Sequence, residues 1–315
     1  MLFRLAKIRL FLQNSYIGDF LYFYGIMKRI LITFLLALAS SPTWGIDREK
    51  DSLAFVNAEW TITKLEGRAT AMTARMEIFE SAQSISIIKY PARRFRTVLT
   101  HSPGEKAGKT SEIAQREGML MAMNGSYFNM KQLTPCTYFR IGDQVLGTTS
   151  PSEAFRANGV VGLRTHRGHR VMISACDPSQ YDEITGKWHS VLASGPLLMD
   201  DGDIQVPEIT RADENGVDSF YDKRHPRSVI GYDGKGNIYL IVIDGRHSGN
   251  AEGTSIYETA LICSFLNLKD ALNLDGGGSS ALWDNENGIL NHPSDNKKFD
   301  TEGERKVPNI IGAFR

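Results

Sequence analysis

The segment Asn273-Leu274-Asp275-Gly276-Gly277-Gly278-Ser279-Ser280 combines a carboxylate, two hydroxyls and three glycines at the end of an apolar run. Three adjacent glycines cost backbone entropy, so they are justified where the chain passes close to a ligand or where successive amides form an anion-binding nest. Asp275 is placed to project a carboxylate into a cleft, and Ser279 adds a hydroxyl donor. The plain alternative is a tight turn in which Asp275 bonds its own backbone. Two further clusters carry charge. His225-Pro226-Arg227 pairs a group that exchanges protons near neutrality with one suited to bidentate phosphate binding. Asp244-Gly245-Arg246-His247 repeats the pattern, with an Asp-Gly turn and an exposed ion pair as its bland reading. Asn124-Gly125-Ser126-Tyr127-Phe128 and Ser194-Gly195-Pro196 end apolar runs with polar groups. Asn and Ser there can hydrogen-bond sugar hydroxyls, and Tyr127 can stack. Glu258 falls in the first turn of a predicted helix, where the helix dipole alone would favour it. Arg305 precedes the apolar run 309–314.

These groups need elements to hold them. Short apolar and β-branched runs at 61–63, 76–79, 84–90 and 95–100 predict strands, the third ended by Pro91. A helix is predicted over 110–117, capped by Thr110 or Ser111 and ended by Gly118. Residues 119–123 read as a buried strand leading into Asn124. Strands at 228–232 and 238–243, joined by Asp233-Gly234-Lys235-Gly236-Asn237, predict a hairpin with His225-Arg227 and Asp244-Arg246 at one end. Ile256, Thr259, Ala260, Cys263 and Leu266 form a helical stripe behind the cap Ser255, and 268–274 leads into the glycines. Strands dominate, which predicts an α+β fold of mixed or antiparallel sheets with a few packed helices, as a single catalytic domain over 46–315.

Composition bounds the rest. The chain has 315 residues, 42% hydrophobic and 23% charged, enough for a real core. Lys plus Arg balances Asp plus Glu at 36 each, so no general affinity for nucleic acid or acidic membranes is expected. Met27-Lys28-Arg29, the apolar run 30–38 and the small residues before Gly45 form an export signal too short to span a bilayer comfortably. Met27 opens this signal by itself, so residues 1–26 read as an extension ahead of the true start. A signal anchor with two apolar stretches is the alternative. The mature protein is expected to be periplasmic or extracellular, with no membrane span after cleavage. Cys136, Cys176 and Cys263 suggest no zinc site; Cys136 and Cys176 are the plausible disulfide, with three buried thiols as the alternative.

In order, these motifs resemble the phosphodiester glycosidase family over roughly 120–315. The family more often has two glycines where this chain has Gly125-Ser126. The resemblance implies hydrolysis of a sugar-1-phosphodiester, releasing the sugar and leaving a phosphate monoester. Because that leaving group is already a stable anion, positive charge on the phosphate matters more than a strong general acid. Arg227, Arg246 and His225 are then the expected clamp, with the amides of Gly276, Gly277, Gly278 and Ser279 as added donors. Asp275 is the first choice for the carboxylate facing the anomeric carbon, followed by Asp244 and Glu258. Asn124, Tyr127, Ser194 and Arg305 are expected to contact substrate. A metal-dependent phosphodiesterase of the cell envelope is the first alternative, in which Asp244, Asp275, Glu258 and His225 hold Ca²⁺, Mg²⁺ or Mn²⁺. A non-catalytic glycan-binding envelope protein is the second.

Overall fold

A computed structural model describes residues 46–102, 107–164, 170–208 and 217–315. The export signal and the extension before it lie outside the described residues. Residues Asp47–Arg315 form one unit, and the predicted α+β class holds.

Three antiparallel sheets share one core. The largest runs in the order Thr61–Lys64, Thr70–Ile78, Ser81–Pro91, Asn237–Ile243, Arg227–Tyr232, Asp270–Asn273, Leu197–Asp200 and Asp203–Ile204. A second orders Arg170–Ala175, Gly159–Arg164, Ser190–Ser194, Phe139–Ile141 and Gln144–Gly147. A third orders Gly288–Ile289, Leu282–Asp284, Met121–Asn124, Asn309–Phe314 and Arg96–His101. Period-2 alternation assigns the faces. Met121 and Met123 enter the shared core with Ile88, Leu240, Leu192 and Ile311, while Ala122 faces a smaller cluster under the Thr110–Glu117 helix. Val161 and Leu163 likewise face the shared core, and Val160 faces a third cluster with Tyr138 and Tyr181. Each such fully buried aliphatic contributes on the order of 1.5–3 kcal/mol.

The predicted hairpin forms in full, with Arg227 opposite Ile243 and Tyr232 opposite Ile238. The Thr110–Glu117 helix ends at Gly118 in the left-handed region, φ 71. Ser255 caps the Ile256–Phe265 helix by accepting the Glu258 amide at 3.1 Å. That helix differs from the predicted stripe: residues Ile256 through Cys263 are all buried, because it packs on the large sheet and on a further helix, Arg48–Val56, which the sequence did not announce. The strands Gly159–Arg164 and Arg170–Ala175 were also unannounced. Two glycines obscure the first, and both serve packing: a Cβ on Gly162 would lie 2.8 Å from the Trp188 ring, and one on Gly159 2.5 Å from Leu272. All three cysteines are free, so the Cys136–Cys176 pairing is not formed; Cys176 and Cys263 are buried. No helix among the described residues is long and apolar enough to cross a membrane.

Asn309 ties the third sheet to the loop after Asn124. Its side chain accepts the Ser126 amide at 2.8 Å and donates to the Ser126 hydroxyl at 2.7 Å. Both residues are buried. Removing the amide leaves two buried polar groups of Ser126 unpaired, so Asn309→Ala is expected to cost about 2–3 kcal/mol in denaturant unfolding with an unchanged m-value.

Candidate active site

The Asp270–Asn273 strand pairs with Arg227–Tyr232, Val229 opposite Asn273, and the chain then leaves the large sheet for the third. Backbone bonds pin this crossing. Leu274 donates to Ser228 O at 2.8 Å, Asp275 to Gly125 O at 3.1 Å, and Gly277 to Pro226 O at 2.9 Å. Asn124, fully buried, locks the same point from the side. Its Nδ2 donates to Asp275 O at 2.5 Å, and its Oδ1 accepts Ser228 Oγ at 2.8 Å and the Ala281 amide at 3.2 Å.

The three glycines make room for other groups to approach. A Cβ on Gly276 would lie 2.5 Å from Pro226 O, and one on Gly277 2.9 Å from the Arg246 guanidinium. One on Gly278 would collide with Arg305 and stand 2.6 Å from the Asp295 carboxylate. The nest expected from the sequence is therefore only partly open. The Gly277 and Ser279 amides are committed to Pro226 O and Gly276 O, and what the loop admits is two arginine side chains.

Those arginines face Asp275, which is half-buried. Burial pushes its carboxyl up to about 6, against the opposing pull of Ser279, Arg156, Arg305 and the Gly276 amide. The Ser279 hydroxyl faces the carboxylate and favours its ionised form, although it completes no hydrogen bond of normal geometry. Arg305 is ion-paired to Asp295, and Arg156 to Glu153. Arg246, exposed, has no ion pair among the described residues. Its backbone sits in the left-handed region, φ 67, which is uncommon for a residue with a side chain and marks a position held by its surroundings.

Arg156 lies in an irregular segment; its one local partner is Glu153, three residues earlier. Its guanidinium stands 3.8 Å over the Tyr127 ring. Tyr127 is itself buried; its hydroxyl donates to Gly195 O at 2.7 Å and accepts from Asn273 Nδ2 at 2.8 Å. Tyr127 and Asn124 therefore support the site from below. Ser194 is fully buried beside Gly195, and its hydroxyl has no hydrogen-bond partner among the described residues.

The structure separates several of the predicted site residues from the cleft. Arg227 is only 2% exposed. Its guanidinium donates to Thr254 O, Phe220 O and Lys223 O at 2.9–3.1 Å, and burial pulls its pKa down to about 10. It braces the hairpin entrance instead of clamping a phosphate. The Glu258 carboxylate accepts from Arg224 at 2.6 Å and from the Ser255 amide at 2.8 Å. The helix-terminal reading of Glu258 therefore describes its contacts. His225 stays closer to the site. Burial, then Arg227 and Arg246, lowers its proton affinity, opposed by the Ser219 carbonyl. Among the described residues no three His, Cys, Asp or Glu side chains converge as a metal-binding group.

Asp244 is 1% exposed and acts through a neighbour. Oδ2 accepts Ser84 Oγ at 2.7 Å and faces His292 Nδ1 at 2.9 Å. Oδ1 accepts Asn291 Nδ2 at 3.0 Å and the His292 amide at 2.9 Å. Asn291 also donates to Ser280 O at 3.1 Å, joining this network to the glycine loop. The His292 ring stacks on Phe299 at 3.8 Å. His292 escaped detection because its partner lies 48 positions away in sequence.

The pattern of the phosphodiester glycosidase family matches residues 117–314. The chain belongs to that family, whose named activity is hydrolytic. It is 26% identical to the bovine N-acetylglucosamine-1-phosphodiester alpha-N-acetylglucosaminidase over 216 residues, covering 65% of this chain and 39% of the relative. Against the human enzyme of that name it is 25% identical over 215 residues, covering 65% and 40%. The chain thus spans about two fifths of the length of these curated relatives. Its fold is that of the zebrafish catalytic domain of the same name, solved as auto-inhibited by its pro-peptide, with a TM-score of 0.56, 18% identity and 82% coverage of both chains. A hypothetical protein from Synechocystis shares the fold, with a TM-score of 0.55, 17% identity and coverage of 81% of this chain and 64% of its own.

The raised carboxyl of Asp275 sets a sign for stability. A group whose pKa is higher folded than unfolded contributes stability that is complete below the unfolded value near 4 and is lost as pH rises through the folded value. Asp275→Asn is therefore expected to be more stable than the natural chain above pH 6, by about 1–3 kcal/mol, and to lose that advantage near pH 4. Unfolding at both pH values checks it; an equal difference at both would place the Asp275 pKa in the ordinary range.

Proposed function

We propose that this chain is an exported hydrolase that cleaves the glycosidic C–O bond of a sugar-1-phosphodiester. The observation that carries the reading is one half-buried carboxylate, Asp275, facing three guanidiniums, of which Arg246 makes no direct ion pair among the described residues. A phosphodiester is an anion that a guanidinium free of a direct ion pair can receive. The export signal read over 27–45 supports a periplasmic or extracellular site of action, and the curated relatives' names support an N-acetylglucosamine-1-phosphodiester as the first substrate to try.

The chemistry follows from charge. As the C1–O bond breaks, its electron pair moves onto the phosphate oxygen, where Arg246 and Arg305 stabilise it without proton transfer. The sugar carbon becomes electron-poor and needs a carboxylate beside it. Asp275 meets that need either by bonding to C1 or by taking a proton from the water that does. Either role requires the ionised form, so turnover is expected to rise with pH through about 6. Arg156 and Arg305 hold this value down, so Arg156→Met should move the limb to higher pH. Its kcat–pH profile is the check, and an unmoved limb would remove Asp275 from the reaction's titration.

The protein from Ile46 onward, given UDP-N-acetylglucosamine in ¹⁸O-labelled water, is expected to place the label in the free sugar. Label in phosphate would mean P–O cleavage and overturn the assignment in favour of a phosphodiesterase. Arg246→Ala should lower kcat/KM by about 10²–10³-fold, the usual cost of one preorganised donor to a developing anion. Asp244→Asn tests the positioning of His292. It should lower kcat more than it raises KM; a fall in thermal stability alone would make the pair structural.

A further inference from the structure

A cavity of about 790 Å³ opens on the opposite end of the strands that carry the active site. Arg68, Arg93, Arg170 and Lys235 line it with the aromatic rings of Trp188 and Tyr232. None of the four cations makes an ion pair among the described residues. Asp270 is the single carboxylate in the lining among the described residues; burial raises its pKa, and it already accepts the Asp201 amide at 3.2 Å. Four like charges around one concavity repel one another, so the arrangement favours an anion that neutralises them. The volume is that of a ligand pocket, larger than a lone phosphate requires.

Asp270 begins the strand whose far end leads into Asp275. Five rises of about 3.3 Å separate the two, roughly 16 Å. The Arg227–Tyr232 strand runs the same span, with Tyr232 and the Lys235 turn at the cavity end and Pro226 at the active-site end. The chain's formal net charge is +0, so this positive patch is local and does not form the broad basic face that nucleic acid requires. Tyr232 and Trp188 offer amphipathic faces that suit sugar rings. Trp188 is seated firmly, with Gly162 beneath it.

We propose that this cavity is a second binding site, distinct from the Asp275 cleft, for an anionic glycan: a chain of sugars bearing phosphate, sulfate or carboxylate groups. Resting on the sugar-phosphodiester reading above, it assigns the substrate class as a polymer held at two points, with the cavity gripping the chain away from the bond that breaks.

The test is calorimetric binding to the chain from Ile46, with a sulfated dextran oligosaccharide as probe. Arg93→Ala/Arg170→Ala removes two exposed cations without touching the core or the catalytic cleft. Loss of two charge-assisted contacts is expected to weaken binding about tenfold or more, while turnover of UDP-N-acetylglucosamine stays unchanged. Neutral dextran, tripolyphosphate and an oligothymidylate of similar length should bind more weakly than the sulfated sugar. Unchanged affinity in the double variant, or a loss seen in Arg246→Ala alone, would overturn the second site. Tighter binding of tripolyphosphate or oligothymidylate would overturn the glycan assignment. Absence of turnover with cavity-dependent binding intact would count against the hydrolase reading and leave the glycan site standing.

Discussion

The close approach of two guanidiniums to bare backbone at Gly277 and Gly278 is the constraint on which the site depends. An arginine can sit against a loop this tightly only where no Cβ intervenes, and the loop can stay there only if its own polar groups are satisfied elsewhere. Pro226 O, Gly125 O and the Asn124 side chain satisfy them. The large sheet supplies the first of these partners and the third sheet the other two, so the loop is fixed where two sheets meet. Arg246 in its left-handed conformation then reaches Gly277, and Arg305, held by Asp295, reaches Gly278.

Asp275 is tuned by opposing influences, of which burial is the largest. Desolvation favours the protonated acid, and Arg156, Arg305, Ser279 and the Gly276 amide favour the anion. The outcome near 6 keeps the carboxylate mostly ionised at neutral pH, yet less stabilised than an exposed one. Such a group is poorly solvated and reactive toward an electron-poor carbon. The buried acids Asp244 and Glu258 are differently partnered. Each has enough donors to satisfy both oxygens, so each holds structure in place: Asp244 fixes His292, and Glu258 caps a helix while anchoring Arg224.

Much of the framework was legible because it follows local rules. The Ser255 cap, the left-handed Gly118 stop and the Asp233–Asn237 turn each act within a few residues, and the structure keeps all three. The buried strand before Asn124 was legible from its apolar run. The strand at Gly159–Arg164 was not, since its glycines are explained only by Trp188 and Leu272 from other elements. The Ile256–Phe265 helix was legible as a helix, but its burial on all sides depends on what packs around it.

The sequence by itself determined the α+β class and the family resemblance, and it singled out the Asn273–Ser280 segment as a candidate site. Three glycines beside Asp and Ser have no local stabilising purpose, and that anomaly is visible without coordinates. Tertiary structure decided which charges are available. Arg227 and Arg246 look alike in sequence, each at one end of the same hairpin, yet one is spent on three carbonyls and the other makes no direct ion pair among the described residues. Arg156 and His292 acquire their roles from partners far along the chain. The physical reason is that a side chain's chemistry is set by desolvation and by its neighbours' charges, and both depend on distances that only the folded chain defines.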